Sequence, residues 1–376
     1  MNESCYIFVR SKFYGFNEAV RDFSEKYRFF FPFYKNVFLP LETMLYRAGN
    51  YRLVPGFKDE LEKALDRYLP EEERRNPELC DKLSKDILKA HFLDRMNPEE
   101  YFLYGFRDKN YTERRQWLSD RSMVILLNKK IGRSVFHDLI NKDTFYELTK
   151  EYFHREVLVV NEQMHFDDFL AFAQRQKRYI LKPLKGAYGR HTFISSATTN
   201  EEVSKLLEQL LSRGSWMAEE LIIQHPATAV WNPSSVNTVR VPSFLTTDGV
   251  RILQPFFRTG RKGSVVDNAG LGGIFAVFDQ DTGVIISDGV DEHGGRFPQH
   301  PDSGVTFKGW QVPQWDDLKE LVAKIHHSLP SCHRYVGFDF ALTEKGWVLI
   351  EGNWGQMVGQ MAELRGIRYE FISYLG

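Results

Sequence analysis

Tyr335-Val-Gly-Phe-Asp339-Phe-Ala-Leu-Thr-Glu344-Lys345-Gly346-Trp-Val-Leu-Ile-Glu351-Gly-Asn353 reads as a β-hairpin. Two runs rich in Val, Ile, Phe and Trp flank Glu344-Lys345-Gly346, a three-residue turn with glycine in the left-handed position. Counting back from that turn sets Asp339 opposite Glu351. Side chains alternate along a strand, so Glu351 and Asn353 share a face with Asp339. Two facing carboxylates on a mostly apolar hairpin repel unless a positive group sits between them. An Asp, a Glu and an Asn amide oxygen are hard ligands of the kind Mg²⁺ uses when it also holds phosphates. Two surface acids on an amphipathic hairpin are the alternative for the pair in isolation, and the residues upstream bear on the choice.

The bulk composition sets the frame. A chain of 376 residues suggests two or three domains, and its 43% hydrophobic and 26% charged content is ordinary for a soluble globular protein. A net charge of −1 gives no global attraction to nucleic acid or anionic membrane, so an anionic ligand requires local cation clusters. Cys5, Cys80 and Cys332 are odd in number, far apart and match no metal spacing, as expected in a reducing cytoplasm. No apolar run reaches the roughly 20 residues of a membrane span, and no signal peptide is evident. The expected location is cytoplasmic.

Residues 1–120 are helical in pattern and poor in glycine, with helices expected from Phe57 through Tyr68 and from Leu79 to Leu93. The aromatic stretch Arg28-Phe-Phe-Phe-Pro-Phe-Tyr34 with Val37-Phe38-Leu39 reads first as a core or docking segment, and second as a patch for a partner or membrane surface. From residue 121 short helices and strands alternate. A helix starts near Lys142 with Asn141 as its cap, and another spans Asp167 to Gln176. Strands are expected at Val157–Val160, at Tyr179–Lys182 and at 216–223. Two more fill 236–258, and a hairpin spans Phe275–Ser287.

Several clusters on this framework carry chemistry. Lys182 ends a strand and is followed by Lys185-Gly186-Ala187-Tyr188-Gly189. Such a loop lets backbone N–H groups approach phosphate oxygens, although it is not a Walker loop and an ordinary hairpin turn has the same composition. The strand at 216–223 carries Glu219 and Glu220. One faces inward and needs a partner such as a lysine or a ribose hydroxyl, or else one is exposed and the other sits in a structural ion pair. Asn237-Thr-Val-Arg240, Arg258-Thr-Gly-Arg261-Lys262 and Asp267-Asn268 with Gly270, Gly272 and Gly273 concentrate cations and amides. Arg240 and Arg258 lie within apolar strands, where an unpaired guanidinium is costly; an exposed basic loop is the competing reading. His225, His293 and His300 match no zinc spacing.

Taken in order, Lys142, Lys182, the Gly186–Gly189 loop, Glu219-Glu220, the arginine strands and Asp339…Glu351-Gly-Asn353 resemble the ATP-grasp superfamily. The run from Asn237-Thr-Val-Arg240 through Arg258 to Asn268 and Gly272-Gly273 is similar to its carboxylate–amine ligase branch. Tyr152-Phe-His-Arg-Glu-Val157, Gln224-His225-Pro226, Asn237-Thr-Val-Arg240 and Asp267-Asn268-Ala269 with Gly272-Gly273 resemble the sugar-transfer-associated ATP-grasp family. The resemblance covers residues 130–360. It implies an α+β ATP-grasp fold, two subdomains clasping ATP (121–222 and 223–376), preceded by a helical accessory domain (1–120). By resemblance Lys142 and Lys182 hold the α and β phosphates and Gly186, Ala187, Tyr188 and Gly189 cover the γ-phosphate. The backbone of Glu220, Leu221 and Ile222 reads adenine, and the ribose falls to Glu219, Glu220 or His225. Asp339, Glu351 and Asn353 bind two Mg²⁺. Asn237, Arg240, Arg258, Asn268, Gly272 and Gly273 line the substrate site, and Lys182, Arg240 and Arg258 act in catalysis. The implied reaction joins a small-molecule carboxylate to an amine through an acyl phosphate, in a sugar or polysaccharide context. Arg258 steadies the oxyanion or departing phosphate and Arg240 orients a substrate. A kinase acting on a hydroxyl, or a non-catalytic nucleotide-binding protein, are the other readings. The sequence departs from the superfamily at Gln224-His225-Pro226, where a ribose acid is expected, and at Trp354-Gly355, where Pro-Gly is frequent.

Overall fold

Apolar residues at helical spacing fold the first part of the chain into helices at Phe57–Tyr68, Pro77–Asp94 and Pro98–Leu103. Asn76 and Asn97 each precede a proline and accept backbone N–H bonds from the first turn, and Asn97 forms a capping box with Glu100. The structure is a computed structural model that describes residues 20, 30–48, 56–185, 191–261, 263–264, 267, 272–355 and 358–376. The chain divides into two compact units, Met1–Met123 and Val124–Gly376. In the first, Phe57, Leu61, Ile87, Leu88, Tyr101 and Phe106 are buried. The aromatic stretch splits by face: Tyr34 and Leu39 are buried, whereas Phe33, Val37, Leu41 and Met44 are exposed, so the core reading holds only for part of it.

The second unit holds two sheets. The smaller has β1 (Val157–Val160), β2 (Tyr179–Pro183), β3 (Phe193–Ser195) and β4 (Trp216–Glu220), in the antiparallel order β1-β4-β2-β3. Tyr179, Leu181, Trp216 and Ala218 pack on Phe169, Phe172, Val203, Leu207 and Leu210 of the helices Phe166–Gln176 and Asn200–Leu211. By alternation Lys182 and Glu219 take the opposite face. β4 is shorter than expected. Its ladder ends at Glu220, whose N–H bonds Glu156 O, and the chain then crosses to the larger sheet, where His225 N–H meets Leu342 O.

The larger sheet comprises β5 (Thr238–Thr246), β6 (Gly249–Ile252), β7 (Phe256–Thr259), β8 (Ile274–Val277), β9 (Gly289–Val290), β10 (Arg296–Phe297), β11 (Tyr335–Thr343) and β12 (Gly346–Asn353). Its order is β10-β9-β8-β7-β5-β11-β12, with β6 also on β5. Three strands therefore occupy 238–259, where two were expected. Gln254, at φ 46°, turns the chain so that β7 pairs the first half of β5 after β6 has paired the second. Residues 275–287 turn back on themselves as expected, through the bridge Phe278–Ile285 and the backbone bonds of Asp279 N–H to Val284 O and Ile286 N–H to Val277 O, but the regular ladders of β8 are with β7 and β9. Val239, Val241, Phe257, Val336, Phe338, Phe340 and Leu349 face a core closed by Leu318, Val322 and Ile325 of the helix Trp315–Ser328.

The hairpin reaches its expected pairing by another route. Its turn is the two residues Glu344-Lys345, with Thr343 opposite Gly346 at φ 104°. Ile350 supplies the extra residue as a bulge, so Phe340 faces Leu349 while Asp339 faces Glu351. The helix Lys142–Thr149 starts where expected, but the Asn141 side chain makes no capping bond. The helix is positioned by Phe145, whose ring lies on Gly352. A Cβ at Gly352 would meet Phe145 carbons at 2.4–2.9 Å. Gly352→Ala is expected to destabilise the protein by about 1–3 kcal/mol through overpacking, measured by denaturant unfolding. Gly249→Ala, at an open turn, serves as the comparison for backbone strain alone.

Candidate functional site

Strand register assembles a row of charges on the face of the larger sheet away from its core. Phe256, Arg240, Asp339 and Glu351 stand abreast on β7, β5, β11 and β12. Arg240 Nε donates to Asp339 Oδ1, and Nη2 donates to Oδ2 at 2.9 Å. Arg258 comes from the adjoining row, where it faces Thr238. Its Nη2 is 3.0 Å from Asp339 Oδ2, its Nε donates to Thr238 Oγ1 at 2.9 Å, and Asp267 Oδ2 lies 3.6 Å away. The Thr238 hydroxyl donates to Asp267. Burial acts to raise the Asp339 pKa, but Arg240 and then Arg258 outweigh it and hold the carboxyl below its usual range. Burial acts to lower Arg258, yet Asp339, Asp267 and Glu351 raise it, so its charge is secure. The two arginines differ in access. Arg240 is 2% exposed and its Nη1 has no partner among the described residues, while the Arg258 side chain keeps 13% of its surface.

Glu351 and Asn353 complete this corner. Asn353 Nδ2 donates to Asp339 Oδ2 at 3.1 Å and to Glu351 Oε1 at 3.3 Å. Burial and the Asp339 charge raise the Glu351 pKa, with Lys182 and Lys142 opposing. Lys142 Nζ donates to Pro183 O at 3.1 Å. Burial lowers its pKa, and Lys182 adds to that, although Glu351 pulls the other way. Two lysines predicted to serve phosphate therefore converge electrostatically on the carboxylate predicted to serve metal.

Glu219 resolves the question of the paired acids on β4. Its side chain is 2% exposed, with Oε1 2.8 Å from Lys182 Nζ. Arg155 Nε and Nη2 both donate to Oε2, at 2.9 and 2.6 Å. Burial alone would push the Glu219 pKa up; Lys182 and Arg155 hold it down to about 2. Glu220 is also engaged, since its Oε2 accepts Glu156 N–H at 3.0 Å. Leu221 and Ile222 are half-buried just beyond the strand. The His225 ring caps the short helix Pro226–Ala229 by accepting Ala227 N–H. All three side chains considered for the ribose thus have protein partners.

The remaining predicted residues scatter around this centre. Asn237 Nδ2 donates to Gln224 Oε1, Thr228 O and Asn232 O, which ties down residues 224–237. Its buried Oδ1 has no partner among the described residues. Gly272 is exposed at φ 87° and Gly273 is buried at the entry to β8. Gly186, Ala187, Tyr188, Gly189 and Asn268 lie outside the described residues. Among the described residues, no three His, Cys, Asp or Glu side chains cluster in a way that could hold a metal ion; the corner at Asp339 offers two acids and an amide. Arg155, within the Tyr152-Phe-His-Arg-Glu-Val157 stretch that carries the family resemblance, is the member of the site to which the sequence assigns no role.

A family model described as sugar-transfer associated ATP-grasp matches residues 115–372, well over half of the chain. The chain is an ATP-grasp protein. Within that class it belongs to the sugar-transfer associated family. No curated protein sequence matches it. Among solved structures it is similar to D-alanyl-alanine synthetase A from Vibrio cholerae O1 biovar eltor, at 11% identity and TM-score 0.40, over 65% of this chain and 66% of that one. The ATP-grasp ligase PsnB, complexed with a variant precursor, Mg and ADP, gives 13% and 0.39 over 65% and 61%. The D-alanine-D-alanine ligase from Coxiella burnetii gives 9% and 0.38 over 68% and 63%. This chain thus spans just under two thirds of the length of each. Among the described residues no helix is long and apolar enough to cross a membrane.

Glu219 also makes stability depend on acid. Its folded pKa of about 2 lies below the ordinary glutamate value of 4.5, so the stabilisation is present above pH 4.5 and is lost as pH falls toward 2. The depression corresponds to about 3 kcal/mol. Glu219→Gln is expected to lower stability at pH 7 and to flatten the pH dependence between 5 and 2. Urea unfolding across that range measures both effects.

Proposed function

We propose that the protein is an ATP-dependent, ADP-forming ligase that joins a carboxylate to an amine through an acyl phosphate. The observation that carries the reading is the spatial order of the charges. Across the sheet Arg258 on β7 meets Asp339 on β11, Glu351 stands on the far side on β12, and it is on Glu351 that Lys182 and Lys142 act electrostatically. A polyphosphate bound by the lysines then has its reacting end next to a partly accessible guanidinium. Residues 121–222 would supply the lysines and the adenine-reading backbone of Glu220, Leu221 and Ile222. Residues 223–376 would supply the acids and the substrate arginines.

The acid corner fits Mg²⁺ on its own chemistry. Glu351 is a half-buried carboxylate facing the buried Asp339, and a cation between them would remove the repulsion that helps raise its pKa. Asn353 points Nδ2 at both acids, and an amide turned by 180° presents Oδ1 in the same place. Asp339, Glu351 and Asn353 would hold the ion or ions. Bound Mg²⁺ neutralises phosphate charge during transfer.

The chain's own residues account for the rest of the sequence of events. Lys142 and Lys182 hold the nucleotide phosphates so that the γ-phosphorus faces the substrate carboxylate. A carboxylate oxygen attacks that phosphorus and ADP leaves, giving the acyl phosphate. The amine then attacks the acyl carbon and inorganic phosphate leaves with the former carboxylate oxygen. Arg258 stabilises the oxyanion or the departing phosphate, because it retains surface while charged. Arg240 fixes Asp339 by its two-point contact, a buried role for which lysine is no substitute. A sugar-linked acid or amine is the substrate class that the family's description suggests.

Hydroxylamine as the amine tests the reaction class. With Mg·ATP and a panel of sugar acids and amino acids, a ligase yields a hydroxamate with stoichiometric ADP and phosphate. A phosphorylated product without phosphate release would instead make the protein a kinase. Arg258→Met is expected to lower kcat by about 100-fold or more while changing the KM for ATP by less than about threefold. A parallel loss of ATP affinity would move Arg258 into nucleotide binding.

A further inference from the structure

Arg155 stands outside the sequence-predicted site, yet it contacts the carboxylate that Lys182 contacts. It follows buried Phe153 and lies over that ring, 4.5 Å from its centroid, with its side chain 4% exposed. Two of its nitrogens bind Glu219 Oε2, leaving Oε1 to Lys182. Its Nη1 donates to Phe153 O at 3.1 Å and to Leu349 O at 2.6 Å. Leu349 lies on β12, two residues before Glu351, so one guanidinium ties the lysine-bearing sheet to the acid-bearing hairpin. The preceding residue, His154, is held at φ 47°, a conformation uncommon for non-glycine residues.

The charges decide what this contact is for. Without Arg155, Glu219 and Lys182 form a neutral buried pair, and the lysine that faces the phosphates is electrostatically consumed. With Arg155, the three groups carry one net positive charge, and Glu219 has a second counter-ion that stays when Lys182 moves. An arginine suits this task because its planar fork serves the carboxylate and two carbonyls together and it cannot lose its proton. We propose that Arg155 is a positioning residue that neutralises Glu219 so that Lys182 remains available to a nucleotide phosphate. The proposal rests on the reading of Lys182 as a phosphate ligand.

A charge-restoring pair of substitutions tests it, with calorimetric titration of Mg·ATP into the full-length protein as the readout. Arg155→Met is expected to weaken ATP binding at least tenfold, because Lys182 then stays on Glu219. Arg155→Met combined with Glu219→Gln frees Lys182 and is expected to recover affinity to within about threefold of the unaltered protein. Arg155→Lys, which keeps the charge without the fork, is expected to fall between. Circular dichroism and thermal unfolding of each variant show whether it is folded. Because Glu219→Gln also removes the carboxylate that Arg155→Met leaves short of a partner, rescue supports the proposal only when affinity recovers between variants that unfolding shows to be equally folded at the titration temperature. A double variant that binds no better than Arg155→Met would overturn the proposal, as would an Arg155→Met protein with unchanged affinity. If Arg155→Met does not fold, the comparison passes to Arg155→Lys with and without Glu219→Gln, judged by the same recovery. An unaltered protein that binds no nucleotide would count against the ligase reading itself, which separates the two failures.

Discussion

Asp339, which is buried, and Glu351, which is half-buried, are carboxylates paired across two strands on one sheet face, and that juxtaposition is costly unless cations surround it. Much of the second unit follows from meeting that demand. Arg240 takes both oxygens of Asp339 from the neighbouring strand, and Arg258 adds a third contact from the next row. Lys182 and Lys142 approach Glu351 from the smaller sheet and from the helix that starts at Lys142. Removing one member of such a network leaves an uncompensated buried charge, at a cost of about 3–5 kcal/mol. The arrangement therefore holds its geometry before any ligand arrives, which is what electrostatic preorganisation requires.

The same demand divides labour among the cations. Arg240 is sealed in and pinned at two points, so its contribution is to fix the orientation of Asp339. Arg258 shares its charge among Asp339, Asp267 and Thr238 and keeps a side exposed, so it can respond to a negative charge that develops during reaction. Lys182 is the pivot between the sheets, bound to Glu219 yet felt by Glu351. Such a lysine serves phosphate only if Glu219 has another counter-ion, and Arg155 is placed to be one.

Most of this centre was legible in the sequence because strand alternation and charge on apolar strands are local signals. Asp339, Glu351 and Asn353 came from the hairpin, and Arg240 and Arg258 from being charged within apolar runs. The facing of Asp339 and Glu351 was read correctly from a three-residue turn that the structure replaces with a shorter turn and a bulge at Ile350. Two compensating one-residue differences are invisible to counting. The dependence of Gly352 on Phe145 and of Glu219 on Arg155 involves partners far apart in sequence, and no local pattern announces them. The resemblance carried by Asn237-Thr-Val-Arg240 implies a substrate role for Asn237. Its amide nitrogen also binds two backbone carbonyls and the Gln224 side chain, a structural task that only tertiary contacts reveal.

The central claim is that Lys142, Lys182 and the Asp339 corner form one Mg·ATP site. Thermal unfolding with a non-hydrolysable ATP analogue, with and without Mg²⁺, tests it most directly. At about 100 times its dissociation constant, a ligand specific for the folded state stabilises it by roughly 2.7 kcal/mol. The account predicts a clear upward shift that requires Mg²⁺ and is lost on Glu351→Gln. A folded protein whose unfolding is indifferent to nucleotide in either condition would contradict it.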